Sequence, residues 1–161
     1  MKRTILLLLS VFAVTAANAQ QKITLKQCHG DTVAYLKKNF EEGKARFIGQ
    51  PFSKVIKEWK SQIPLTMVVL SSTDPWANDI RLRNKVNGAD LYFTPERTIN
   101  YRDFYRIPYY IVRFTFKPPY NQNINDLYHI MNEENQPMGP LFYDQLKDFI
   151  VQDIKVVELP L

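Results

Sequence analysis

The chain is poor in the residues that staple, ligate or loosen a fold. One cysteine among 161 residues excludes an internal disulfide framework and a cysteine-rich zinc module. Two histidines leave little for a catalytic zinc, which takes about three protein ligands, and no metal or cofactor is expected. With 5 glycines and 10 prolines the sequence is neither collagen-like nor low-complexity. It contains no Gly-x-Ser-x-Gly elbow, phosphate loop or dinucleotide fingerprint, and no Asn-x-Ser/Thr glycosylation acceptor. Past residue 19 no apolar run approaches the roughly 20 residues that cross a bilayer. What is present is ordinary globular material, 45% hydrophobic and 23% charged, which argues against disorder and, at this length, for one domain over residues 20–161.

The first nineteen residues have a different character. Lys2 and Arg3 precede an apolar run from Ile5 to Ala17, and Ala17-Asn18-Ala19 follows. A basic start, a short apolar stretch and a small-x-small site together predict a signal peptide, residues 1–19, cut after Ala19. An uncleaved anchor is the alternative. Cys28 lies nine residues beyond the cut, too far to receive the lipid of a lipoprotein. The expectation is an exported protein, periplasmic or secreted, with no membrane insertion once the leader is gone.

Charge is unevenly spread. The net +5 falls to +3 when Lys2 and Arg3 leave. Residues 81–117 then carry a local +5, and residues 118–161 a local −5. In an exported protein a basic patch meets an envelope or extracellular protein, or an anionic glycan, sooner than nucleic acid. A pair of solvated faces is the plainer reading of the same numbers.

Periodicity predicts the elements. Asp31 caps a first helix with Val33, Leu36 and Phe40 on one stripe and Gly43 as its stop. Pro51 opens a second, in which Phe52, Val55, Ile56 and Trp59 fall at i, i+3, i+4 and i+7. Leu65–Ser72 reads as a central strand. Ile80, Leu82 and Val86 alternate with polar residues, Asn87-Gly88 follows, and Ala89, Leu91 and Phe93 alternate again. Asn-Gly between alternating runs predicts a type I′ hairpin over residues 79–94, with Val86 opposite Ala89 and Arg83 opposite Tyr92. In that register Asn84 lands on the apolar face. Tyr109–Lys117 is a further strand, Asn123 caps a third helix (Ile124, Leu127, Tyr128, Met131), Gly139-Pro140 opens a fourth (Phe142, Leu146, Phe149, Ile150), and Asp153–Leu159 closes the chain as an edge strand. The N-terminal segment Gln20–Gly30 shows no periodicity and is expected to fray. The fold class is α+β, an antiparallel sheet of four to five strands with helices packed on one face and a wet face carrying Arg, Lys and Tyr.

The stretch Asn39-Phe40 … Arg46-Phe47-Ile48-Gly49-Gln50-Pro51-Phe52-Ser53-Lys54-Val55-Ile56 resembles a pattern of small exported bacterial proteins of unknown function. Two helices joined near a glycine and followed by antiparallel strands also resembles the fold of β-lactamase-inhibitor-protein-like domains, which implies protein binding in the cell envelope. The chain departs from that arrangement after Pro119, where more helix and a last strand follow.

The residues offer three kinds of chemistry. A Cys28–His129 nucleophile pair needs a thiolate within hydrogen-bond reach of the imidazole. His129 and Glu133, at i and i+4, supply too few ligands for a metal site. Acidic residues such as Asp126, Glu134, Asp144 and Asp153 are spread over helical faces, with nothing to set two of them across a cleft. The richest feature is a basic and aromatic constellation: Arg81, Arg83, Tyr92, Tyr101, Arg102, Tyr105, Arg106 and Arg113, with Trp76 in its Asp-Pro-Trp loop. Arginine and tyrosine give interfaces directional donors and rigid contact area. The expected function is a non-enzymatic binding module that meets a protein or an anionic glycan through the wet, basic and aromatic sheet face and the connection over residues 94–108. A small cell-envelope hydrolase and a structural or assembly subunit are the alternatives.

Overall fold

Helix starts follow the capping chemistry. In the computed structural model, which describes residues 22–95, 97–100 and 108–159, the Asp31 carboxylate accepts from the Ala34 amide at 3.0 Å and starts α1, Thr32–Leu36. The helix widens into a π-helical stretch, Lys37–Glu42, and ends at Gly43. Pro51 precedes α2, Phe52–Lys60, whose Phe52, Val55, Ile56 and Trp59 are all buried as their spacing requires. α3, Ile124–Glu134, and α4, Pro140–Leu146, follow later in the chain. Phe142 and Leu146 are buried, whereas Ile150, expected inward, is exposed in an isolated bridge to Pro51 just before the last strand.

The sheet has four strands, β1 (Met67–Ser72), β2 (Val86–Tyr92), β3 (Tyr109–Phe116) and β4 (Val151–Leu159), in the order β1-β2-β3-β4 with every pair antiparallel. The fold is therefore α+β, as expected. One side of the sheet presents Val68, Leu70, Leu91, Phe114 and Ile154 to the helices. There Phe40 stacks on Phe47 with centroids 5.4 Å apart, and Phe52 meets Phe114 and Phe116 edge-on. Of the segment expected to fray, the described part from Lys22 onward is instead docked. Asn39, buried, accepts from the Ile23 amide and donates to its carbonyl, and Cys28 is buried in the core.

β1 is an edge strand, not a central one. Its middle is apolar on both sides because the sheet has two apolar clusters, and an edge strand between them needs both faces covered. Its outer backbone is met at one residue from a helix: the Tyr128 hydroxyl accepts from the Leu70 amide at 3.0 Å and donates to the Leu70 carbonyl at 3.3 Å.

The hairpin expected over 79–94 does not form. Residues Ile80–Leu82 make one 3-10 turn, and Asn87 and Gly88 lie inside β2 with ordinary negative φ. Asn84 takes φ 53°, a left-handed conformation that asparagine tolerates, and so breaks the run that the alternation suggested. From there the chain bonds elsewhere: Ile124 donates to the Asn84 carbonyl and Val86 to that of Gln122. Val86 pairs with Ser72, Ala89 with Leu70 and Tyr92 with Met67, with a register shift between Ser71 and Ser72. Gly88 is glycine for reasons of space, since a Cβ would lie 2.5 Å from the Phe114 carbonyl oxygen.

The far face of the sheet is wet only in part. Tyr92, Ile99, Tyr109 and Ile111 are buried there with Met67, Val69, Val157 and Leu159 packed against them, Ile99 belonging to the helical residues 97–100. Beyond this cluster the face turns polar at Asp90 and Arg113.

Candidate functional site

The β1–β2 connection is the most exposed apolar feature among the described residues. It begins and ends on a clasp: the Thr73 amide donates to the Lys85 carbonyl at 2.8 Å, and the Lys85 amide to the Thr73 hydroxyl at 3.0 Å. Within it Asp74 accepts from the Trp76 amide at 2.8 Å, an Asx turn that Pro75 favours. Asp79 caps the short turn that follows by accepting from the Arg81 amide. The Arg83 guanidinium crosses the loop and donates from Nε to the Ala77 carbonyl at 2.7 Å. The loop is thus tied to itself, in the manner of a compact Ω-loop.

That internal order leaves two large side chains outside. Trp76 is 83% exposed and Ile80 72%. Solvating two large apolar side chains on one short loop is unfavourable, and exposed apolar surface of this kind is what contact sites use. Ile80 was expected to face the core as a hairpin residue; the loss of the hairpin is what releases it. Its partner Trp76 was legible from the Asp-Pro-Trp loop alone.

The arginines are less available than their sequence suggests. Arg81, exposed, grips Asp79 through two guanidinium nitrogens at 3.0 and 2.7 Å. Those hydrogen bonds pull the Asp79 carboxyl down to about 2 and raise the Arg81 guanidinium. Across the sheet Arg113 makes a fork-to-fork pair with Asp90 at 2.9 and 2.8 Å, which raises the Arg113 guanidinium first by hydrogen bonding and then against the cost of desolvation. Arg113→Glu would therefore place two carboxylates side by side, so it is no neutral probe of binding. This pair lines a cleft of about 560 Å³ with Ser71, Thr115, Tyr120 and Gln152.

Tyr92 is buried, its ring tilted against Tyr109 with centroids 6.3 Å apart. Tyr101, Arg102, Tyr105 and Arg106 lie outside the described residues. The structure thus brings together Trp76, Arg81 and Arg83 in one loop, while Tyr92 and Arg113 belong to the sheet.

The catalytic alternatives find their residues otherwise employed. Cys28 is buried in the core, whereas His129 is exposed and faces Glu133 at 3.3 Å. Glu134 accepts from the Leu141 and Phe142 amides at the start of α4. Asp153 is paired with Lys44 at 2.6 Å, and Asp144 with Lys147 at 2.9 Å. Among the described residues no group of three or more His, Cys, Asp or Glu side chains could hold a metal ion, and no helix is long and apolar enough to cross a membrane. No protein-family model, curated protein or solved structure matches the chain.

Proposed function

We propose that the mature chain is an exported, non-catalytic interaction module that grips a partner protein of the cell envelope or extracellular space through the β1–β2 loop. The observation that carries this reading is the pair Trp76 and Ile80, both open to solvent on a loop whose backbone is held by its own hydrogen bonds. A pre-ordered loop loses little conformational entropy on docking. Tryptophan and arginine are the residues that most often dominate interface energetics. Here Trp76 and Ile80 supply the buried anchor and Arg81, neutralised by Asp79, the polar rim. The aliphatic neighbour favours a protein over a glycan, since a sugar face stacks on the indole and leaves Ile80 wet. Export rests on the leader pattern of residues 1–19.

The test places a photo-crosslinking residue at position 76 of the exported chain, identifies the captured protein, and measures its affinity in purified form. Trp76→Ala with Ile80→Ser should weaken binding at least tenfold, about 1.4 kcal/mol, with unchanged circular dichroism because neither side chain is packed. Unaltered affinity would overturn the reading. Crosslinks found only to a second copy would transfer it to an assembly subunit.

A further inference from the structure

We propose that the groove between α2 and residues 136–143 binds a single-chain anionic amphiphile with a carboxylate head, of the fatty-acid class. The groove is open to solvent and offers about 810 Å³, within the roughly 300–1,000 Å³ of small-molecule sites. Its apolar lining is Ile56, Met138, Pro140 and the Tyr143 ring, with Ser53 and Gln136 beside them. Its wall is cationic. Lys54, Lys57 and Lys60 recur at intervals of three along α2, a spacing that sets them on adjoining turns of one side of the helix.

The lysines differ in their commitments. Lys54 is tethered, its Nζ donating to the Arg46 carbonyl at 3.0 Å. Lys57 and Lys60 form no ion pair among the described residues. No aspartate or glutamate lines the groove, the nearby Glu134 carboxylate being taken up by the Leu141 and Phe142 amides, so the three exposed lysines leave its opening positive. Ammonium groups beside an apolar floor select for a ligand that is negative at one end and greasy along its length. A neutral sugar would leave the lysines unanswered, and a polyanion would leave the floor wet. A linear chain with a carboxylate satisfies both surfaces, each buried methylene adding roughly fourfold in affinity.

The experiment is calorimetric titration of the mature chain with dodecanoate kept below its aggregation threshold. One saturable site per chain is expected. Octanoate should bind at least tenfold more weakly, and dodecyltrimethylammonium should not compete. Lys57→Glu with Lys60→Glu should lower dodecanoate affinity at least tenfold at unchanged melting temperature. Trp76→Ala with Ile80→Ser should retain full binding, which separates this groove from the loop proposed above. Absence of a saturable site, indifference to head-group charge, or undiminished binding by the double-glutamate variant would each overturn the proposal. So would an acidic amphipathic peptide that saturates the groove while dodecanoate does not, since the occupant would then be a protein.

Discussion

At the scale of single residues, the fold turns on two positions that local pattern misreads. Gly88 lies where β2 is pressed from both neighbours, and an added Cβ would stand 2.5 Å from the Phe114 carbonyl oxygen and 2.8 Å from the Ser71 hydroxyl. Gly88→Ala should therefore cost about 1–3 kcal/mol by overpacking, read as a lower urea midpoint at unchanged slope. Unchanged stability would mean that the strands do not close on this residue. The dipeptide Asn87-Gly88 is written with the letters of a tight turn, and nothing adjacent to it in sequence says that the crowding atoms belong to β1 and β3. Asn84 did carry a legible warning. Its amide sat on an apolar face in the hairpin register, and the structure resolves that conflict by turning the backbone there to φ 53°.

At the scale of elements, helices were legible because their information is local. The stripes of α1, α2 and α3 repeat within a dozen residues, and the Asp31 and Asn123 caps lie beside the helices they start. The start of α4 is different. Its cap position is Gly139, which has no side chain to offer, and the amides of Leu141 and Phe142 bond at 2.8 and 2.9 Å to Glu134 at the end of α3. A carboxylate there also meets the positive end of the helix dipole. Glu134→Ala should cost about 1–2 kcal/mol, while Glu134→Gln should recover part of the loss through its amide oxygen. Thermal melts of the two variants decide it, equal losses pointing away from capping. The edge position of β1 was likewise hidden. Val-Val-Leu reads as a strand buried on both faces, and only the second cluster around Tyr92 and Ile111 explains how an edge strand comes to satisfy that pattern.

At the scale of the whole molecule, the leader proposal makes a direct claim about the chain that leaves the cell. Exported protein should have a mass corresponding to a start at Gln20, and Ala19→Asp should block processing because the peptidase accepts only small side chains at the cut. A mature mass that includes residues 1–19 would instead favour an anchored chain. The candidate site was legible in part: Trp76 announced itself beside a proline, but the local turn that pairs Arg81 with Asp79 was hidden by the expected hairpin, and the pairing of Arg113 with Asp90 depends on a β2–β3 register the sequence did not disclose. Tyr128 carries the last consequence. One phenol occupies both the donor and the acceptor of Leu70, so an incoming copy finds that rung of the ladder already spoken for. One of the two sheet borders is thus interrupted at its middle by a single oxygen atom, and a strand adding there would have to displace it.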